Sequence, residues 1–312
     1  MIPASFDYHR PQNKAKALEL LGQTQGNGRI LAGGHSLIPM MKLRLAAPGH
    51  LIDISHIREL KGIAIGGGKI EIGAMTTQHE LIASPELAAA CPVIRETALQ
   101  IADPQVRYCG TLGGNIGNGD PGNDMPGLMQ CLDATYVLES TKGVREVPAR
   151  SFYLGTFSTA LRDGELLSKV RFSTPAKGHG YAYKKLKRKV GDYATAAASV
   201  VLHMTESKVD LVSIALTNVA DTPLYAKDAC ARVIGTTLTA ADIDAAVAAA
   251  EAIARPAADG RGSAEYRTKM AGIMVRRALQ EAAGRCSDVP LQGAAPDTKE
   301  HKGGGLFGWL KG

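Results

Sequence analysis

The sequence predicts an α+β protein made of two small α/β subdomains followed by a separate C-terminal α+β domain. The first observation is that short strand-like and helical segments alternate from the N-terminus to about residue 177. The second is that three strand-like segments and then three helical segments fill residues 178–285, an order typical of an α+β domain. With 312 residues the chain is long enough for two or three such units.

The two N-terminal subdomains are predicted to span residues 1–55 and 56–177. Their strands are expected at 29–32, 51–54, 69–72, 134–138 and 166–172, and their helices at 14–21, 36–45 and 87–101. The stretch 110–127 is so rich in glycine, asparagine, aspartate and proline that it is predicted to lack regular structure.

The C-terminal domain, residues 178–285, is predicted to hold a three-stranded antiparallel sheet covered by helices. Its strands are expected at 181–186, 196–204 and 209–217, and its helices at 226–233, 240–254 and 264–283. Residues 286–312 are polar and end in a Gly-rich segment with a short apolar patch, which predicts a flexible tail. Docking of that patch on a partner or a membrane surface is the alternative.

Composition restricts the function. The sequence has neither a signal-peptide layout nor an apolar run of the roughly 20 residues that a membrane helix needs, so a cytoplasmic location is expected. The net charge is +6, and the densest basic run is Lys184–Lys189. That run is read as a solvated strand edge or as a contact for phosphate or an acidic partner. It has no interleaved aromatic residues, so nucleic-acid binding is not expected.

The five cysteines are Cys91, Cys109, Cys131, Cys230 and Cys286. They are widely spaced and form neither a zinc pattern nor an iron–sulfur run. We therefore expect reduced, mostly buried thiols and no metal ligands in this chain. Any redox cofactor held here is then expected to be organic.

The segment 32–37, which reads Ala-Gly-Gly-His-Ser-Leu, lies between a predicted strand and a predicted helix. Paired glycines let the chain turn sharply and let an anion approach backbone N–H groups, and the following helix would add its unpaired N–H groups. Taken alone, the segment is most simply a tight turn. It matches neither G-x-G-x-x-G nor the P-loop pattern.

A second paired-glycine loop is Thr111-Leu112-Gly113-Gly114-Asn115, and Asp124 follows nearby. Thr111, Asn115 and Asp124 carry groups suited to phosphate or sugar hydroxyls. Two such loops together suggest a dinucleotide held from two sides.

These two loops resemble the FAD diphosphate motifs of the flavoprotein subunits of molybdenum hydroxylases, the xanthine dehydrogenase family. Within that family the wider sequence is most similar to the medium subunits of aerobic molybdenum–copper carbon monoxide dehydrogenases, from residue 1 to about 284. Besides the loops, the matching segments are 6–11, 74–79, 101–105, 118–126, 181–197 and 259–262. The resemblance implies a vanillyl-alcohol-oxidase (PCMH-type) FAD-binding fold, closed by the C-terminal domain.

The resemblance also implies the site residues. One side of the FAD diphosphate would be held by Ala32, Gly33, Gly34, His35, Ser36 and Leu37, and the other by Thr111, Leu112, Gly113, Gly114 and Asn115, with Leu112 near the flavin ring. Asp124 would touch the sugar-phosphate portion. Leu166 and Lys184 would lie at the pyrimidine edge of the flavin, and Tyr193 would cover one face of the ring. Gly33→Val is expected to block FAD loading by crowding the diphosphate.

The implied function is electron transfer, with no catalytic residue in this chain. A large subunit with a molybdenum–pterin centre, possibly with copper, would oxidise the substrate, carbon monoxide in this branch of the family. Electrons would cross two 2Fe–2S clusters of a small subunit to FAD and leave to a quinone or another acceptor. The expected assembly is a dimer of heterotrimers in the cytoplasm, with association at the inner face of the membrane left open.

Three alternatives stay open. The complex could act on aldehydes or N-heterocycles, because the large subunit decides the substrate. The chain could instead be a self-contained flavin oxidase, although neither a substrate base nor a covalent flavin anchor is evident. It could also be an assembly protein without flavin.

Overall fold

A computed structural model describes residues 2–286, so the predicted tail falls almost wholly outside the described residues. In the described part the helices are α1 (Lys14–Gln23), α2 (Leu37–Lys42), α3 (Gln78–Ala83), α4 (Pro85–Ala90), α5 (Pro92–Gln100), α6 (Pro104–Cys109), α7 (Leu112–Gly117), α8 (Asp124–Cys131), α9 (Lys227–Val233), α10 (Ala240–Ile253) and α11 (Ala264–Arg285). The strands are β1 (Asp7–His9), β2 (Gly28–Leu31), β3 (His50–Asp53), β4 (Ile63–Gly66), β5 (Lys69–Gly73), β6 (Thr135–Ser140), β7 (Gly143–Pro148), β8 (Tyr153–Gly155), β9 (Ser158–Thr159), β10 (Leu166–Ser173), β11 (Gly180–Leu186), β12 (Ala196–Thr205), β13 (Lys208–Thr217) and β14 (Leu224–Tyr225).

The N-terminal sheet is parallel and has the strand order β1-β3-β2. Helix α1 begins at Asn13, whose side chain accepts a hydrogen bond from the Lys16 N–H, and it buries Ala17, Leu18 and Leu21 against the sheet. In a parallel sheet the carboxyl ends of the strands share one edge, and ligands bind outside that edge. The segment 32–36 leaves β2 at this edge, which places the first glycine loop where a ligand is expected.

The middle sheet has the order β4-β5-β10-β6-β7, and all its pairings are antiparallel. Helices α3 to α8 all lie in the chain between β5 and β6 and cover this sheet. The predicted helix 87–101 is two helices, because Pro92 interrupts the chain after Cys91.

The prediction that 110–127 lacks regular structure was wrong for two parts of the stretch, which form α7 and the start of α8, whereas residues 118–123 between them are irregular. Thr111 caps α7 through its side chain, which accepts from the Gly114 N–H, and Asp124 opens the buried helix α8. The two short helices form because tertiary packing overrides the weak helix propensity of glycine.

The C-terminal sheet has the order β11-β12-β13-β14. The short strand β14 adds a fourth strand to the three that the sequence predicts, and it is too short to show a period of two. Helices α9, α10 and α11 cover one face and build an apolar core rich in alanine. The boundaries drawn at residues 55 and 177 stay predictions, with each main sheet lying inside one of the predicted units.

Cys91, Cys131 and Cys230 are free and buried, and Cys109 is free and exposed, which agrees with the expectation of reduced and mostly buried thiols. No helix in residues 2–286 is long and apolar enough to cross a membrane.

Helix α11 lies so close to β11 that only glycine fits at position 180. A Cβ atom there would lie 1.8 Å from the Ala282 carbonyl oxygen, which belongs to a helix backbone and cannot move cheaply. We expect Gly180→Ala to lower the free energy of unfolding by about 1–3 kcal/mol or more. Gly284→Ala is the control, because a Cβ there meets nothing within 4 Å and should stabilise the helix by about 0.5–1 kcal/mol. Denaturant unfolding of both variants would measure this, and equal stabilities would contradict the close packing.

Candidate functional site

A cleft of about 1000 Å³ opens at the carboxyl edge of the N-terminal sheet and runs to the middle sheet and the C-terminal domain. Its volume lies at the upper end of the roughly 300–1,000 Å³ range of ligand pockets in proteins. Both glycine loops line it, together with the first residues of α8 and β10 and the loop that carries Tyr193. The cleft is therefore large enough for an extended dinucleotide.

The first glycine loop presents unpaired donors. In the described part of the chain, the N–H groups of Gly34, His35 and Ser36 have no protein acceptor, whereas the N–H of Ile38 already donates to the Gly34 carbonyl. Gly34 has φ +77°, a left-handed conformation that favours glycine. Successive N–H groups around such a residue form a concavity that binds anions. The loop suits a diphosphate.

The second loop differs, because most of its N–H groups already have partners within the protein. Leu112 donates to the Thr76 carbonyl and Gly113 to the Ala74 carbonyl. The Gly114 N–H donates to the Thr111 hydroxyl oxygen, and Asn115 Oδ1 accepts from the Met125 N–H. The Thr111 hydroxyl hydrogen and the Asn115 amide N–H₂ are the donors that this loop has left for a ligand.

The two loops touch each other. A Cβ on Gly33 would lie 2.2 Å from the Cys109 carbonyl oxygen and 2.9 Å from Gly110 Cα, and a Cβ on Gly114 would lie 3.5 Å from Ala32 Cβ. The contact between the loops therefore requires glycine at position 33, whatever lies in the cleft. The structure brings the two segments together and adds a second physical reason for this glycine, beside the predicted need for room at the diphosphate.

Asp124 lies in the cleft wall and is 4% exposed. Its carboxylate accepts hydrogen bonds from the Tyr183 hydroxyl and, at 2.9 Å, from Lys185 Nζ. Burial raises the pKa of Asp124, and the ammonium of Lys185 opposes that rise. The ion pair is fully enclosed, because the Lys185 side chain is only 1% exposed.

The structure does not bring Lys184 to the cleft. Successive side chains of a strand point to opposite faces, so Lys184 turns away and pairs with Glu281 of α11, whereas Lys185 lines the cleft. Leu112 does not line the cleft either. It is 1% exposed and packs in the core of the middle subdomain. Sequence reasoning chose the wrong member of a run of lysines because the run does not show which lysine faces inwards.

The other predicted residues line the cleft: Ala32, Gly33, Gly34, His35, Ser36, Leu37, Thr111, Gly113, Gly114, Asn115, Asp124, Leu166 and Tyr193. Leu166 is the first residue of β10 and lies at the point where this strand borders the cleft. Tyr193 is 42% exposed, and its ring lies 5.8 Å from the Arg261 guanidinium carbon. Burial and nearby Asp120 raise the pKa of Tyr193 to about 12, so its hydroxyl stays a neutral donor at physiological pH.

Gln78, which sequence reasoning missed, also lines the cleft. It begins α3 and lies within the segment 74–79, which carries part of the family resemblance. Elsewhere in residues 2–286, no group of three or more His, Cys, Asp or Glu side chains is arranged to hold a metal ion.

FAD fits this arrangement. The three unpaired N–H groups at Gly34–Ser36 match the anionic diphosphate, and the cleft volume of about 1000 Å³ has room for the groups attached to it. The fold and the site together define a flavoprotein with a large extended cofactor cleft.

Comparison with known proteins agrees. The family described as "FAD binding domain in molybdopterin dehydrogenase" matches residues 4–175, and "CO dehydrogenase flavoprotein C-terminal domain" matches residues 181–282. The chain is thus an FAD-binding subunit of an oxidoreductase of the molybdopterin dehydrogenase class. It belongs to the family of carbon monoxide dehydrogenase medium chains.

The carbon monoxide dehydrogenase medium chain of Afipia carboxidovorans is 59% identical over 288 residues, which cover 92% of this chain and 100% of the relative. A solved structure, reconstituted CO dehydrogenase from Oligotropha carboxidovorans, superposes with a TM-score of 0.90 at 60% identity, covering 91% of this chain and 100% of that chain. The glyceraldehyde dehydrogenase medium chain of Sulfolobus acidocaldarius is 33% identical and covers 91% of this chain and 100% of its own length.

The contact between the loops predicts the effect of Gly33→Val. The added side chain would push the loop 32–36 away from Cys109 and Gly110 and so displace the unpaired N–H groups. We expect the purified protein to lose most of its FAD, measured as flavin absorbance per chain. Gly117→Ala is the control, because it also lines the cleft but its Cβ would make only ordinary contact, 3.8 Å from Leu161. A normal flavin content in Gly33→Val would disprove the role of the contact.

Neighbouring lysines offer a second test. Lys185→Met would leave the buried carboxylate of Asp124 without its cation, and breaking such a pair costs about 3–5 kcal/mol. Lys184→Met removes a partly exposed pair with Glu281, which is worth about 0–1 kcal/mol. Thermal unfolding of both variants should show a much larger loss for Lys185→Met. Similar losses would contradict the assignment of Lys185 as the buried partner.

Proposed function

We propose that this chain is the FAD subunit of a molybdenum–copper carbon monoxide dehydrogenase, taking electrons from 2Fe–2S clusters and passing them to a quinone or another acceptor. The observation that carries the proposal is the cleft built from two touching glycine loops, one of which presents three unpaired N–H groups. The 59% identity to a carbon monoxide dehydrogenase medium chain supports the choice of carbon monoxide as substrate of the complex.

Each part of the cleft then has a role. The N–H groups of Gly34, His35 and Ser36 hold the diphosphate, and Thr111 and Asn115 donate to it or to the adjoining sugars. Asp124 is held in place by Lys185 and Tyr183, and in this role it fixes the part of the cleft wall next to Thr111 and Asn115. Bound FAD supplies the ability to accept and give electrons one or two at a time.

We assign Leu166 and Tyr193, which both line the cleft, to the space for the flavin ring. Tyr193 is held at the cleft by its loop, in which Asp192 pairs with Arg188 at 3.0 Å and with Arg261 at 3.7 Å. In the proposed role, the Tyr193 ring shields the flavin from water and from unwanted oxidants. Lys184, which was predicted for the flavin edge, lies outside the cleft lining and pairs with Glu281, whereas Lys185 lines the cleft as the partner of Asp124.

The proposed assembly contains a large molybdenum–pterin subunit with copper and a small 2Fe–2S subunit, as a dimer of heterotrimers. Support comes from the name "medium chain" of the relatives, which implies a larger and a smaller chain. A cytoplasmic location and contact with the inner face of the membrane belong to the same proposal.

A second candidate is a related hydroxylase that oxidises aldehydes. The observation in its favour is the 33% identity to a glyceraldehyde dehydrogenase medium chain over nearly the same length. The lower identity favours carbon monoxide. A self-contained flavin oxidase would require substrate to react within this chain alone.

The test is to isolate the native complex with a tag on this chain, and to record its subunit masses, its metal content and its visible spectrum before and after anaerobic carbon monoxide. We expect one larger and one smaller partner, one FAD per chain, and bleaching of the flavin by carbon monoxide but not by nitrogen. Bleaching by glyceraldehyde alone would favour the aldehyde enzyme. A lone yellow chain that oxidises small donors would favour the oxidase, and a colourless chain would refute the FAD assignment.

A further inference from the structure

The side-chain amide of Gln78 is buried and has no hydrogen-bond partner in the described structure. The residue is 1% exposed, and the atoms concerned are Oε1 and Nε2. It nevertheless lines the cleft. A buried amide without partners is costly, and such groups are rare in native proteins, so this one needs an explanation.

The position of Gln78 supplies one. Its backbone N–H donates to the Gly110 carbonyl at 2.9 Å, and the preceding Thr77 forms a bridge with Thr111. Gly110 is also one of the residues that Gly33 packs against. The backbone of Gln78 is therefore anchored at the junction of the two glycine loops, and the residue lines the cleft beside them.

The chemistry of the amide restricts its ligand. An amide offers N–H donors and a carbonyl acceptor, and both are unpaired here. A phosphate, which at neutral pH mainly accepts, would leave Oε1 unsatisfied. A hydroxyl group both donates and accepts, so neighbouring hydroxyls satisfy both ends of the amide.

We propose that Gln78 is a further FAD-binding residue and that its amide binds the hydroxylated sugar segment next to the diphosphate, ribityl or ribose. The inference rests on the proposed FAD function. In the free protein, the unpaired and buried amide costs free energy. Binding of the cofactor offsets that cost, because the amide then gains hydrogen-bond partners.

The test uses the assembled complex and the variant Gln78→Met, which keeps side-chain length but removes both hydrogen-bonding atoms. Thr97→Val is the matched control, because the Thr97 hydroxyl is also fully buried and unpartnered but does not line the cleft. The rate of FAD release after dilution, followed by the recovery of flavin fluorescence, is compared with the thermal stability of the FAD-stripped complex.

We expect Gln78→Met to release FAD about tenfold faster than wild type while the stripped complex is as stable or more stable, and Thr97→Val to release FAD at the wild-type rate. Unchanged FAD release in Gln78→Met would overturn the proposal, as would equal acceleration in Thr97→Val. If Gln78→Met prevents assembly, Gln78→Asn keeps the amide but withdraws it by one methylene, and wild-type FAD release in that variant would also overturn the proposal.

Two FAD analogues distinguish whether the amide binds the ribityl or the ribose hydroxyls. One carries an unhydroxylated chain in place of ribityl, and the other carries a 2′,3′-dideoxyribose. If the tenfold effect of Gln78→Met disappears with the first analogue, the amide binds ribityl, and if it disappears with the second, the amide binds ribose. An effect that persists with both refutes a sugar contact. Wild-type complex without flavin would instead refute the proposed function, so the two failures are distinguishable.

Discussion

The contact of Gly33 with Cys109 and Gly110 is the constraint on which the rest of the site depends. Two segments nearly eighty residues apart in sequence meet there with no room for a single methyl group. The contact joins the carboxyl edge of a parallel sheet to the helical layer of the middle subdomain, and the cleft exists because both surfaces are fixed at this point. Backbone-to-backbone packing of this kind fixes positions more firmly than side-chain contacts, because neither side has rotamers with which to yield.

The two glycine loops look alike in sequence but use their glycines differently. In the first, a left-handed glycine turns three N–H groups away from protein acceptors and leaves them for an anion. In the second, the glycines allow a tight helical turn against Ala74 and Ala32, and the backbone donors are consumed within the protein. In the proposed site, the second loop therefore contributes side chains and shape, while the first contributes the electrostatic attraction.

Buried polar groups connect the domains at the cleft. Asp124 opens a helix of the middle subdomain, and its partners Tyr183 and Lys185 lie on a strand of the C-terminal sheet. The Tyr183 N–H in turn donates to Glu96, which pairs with Arg285 of α11. A buried network of this kind adds little stability over apolar packing but fixes one geometry, because any other arrangement leaves a charge unpaired. Gln78 is the opposite case, because it lines the same cleft with an unpaired amide, which the proposed contact with FAD would explain.

The sequence alone determined much of this protein. Helical and strand periods placed the main elements, and paired glycines beside hydroxyl and amide residues located both loops, because those signals depend on near neighbours in the chain. Tertiary structure decided the rest. It made helices of the glycine-rich stretch 110–127, added β14, and selected Lys185 over Lys184, since only packing shows which face of a strand is inward. It also showed that Gly33 packs against the other loop and that the side chain of Gln78 lacks hydrogen-bond partners. Neither property can be read from the sequence, because both depend on which atoms lie close together in space.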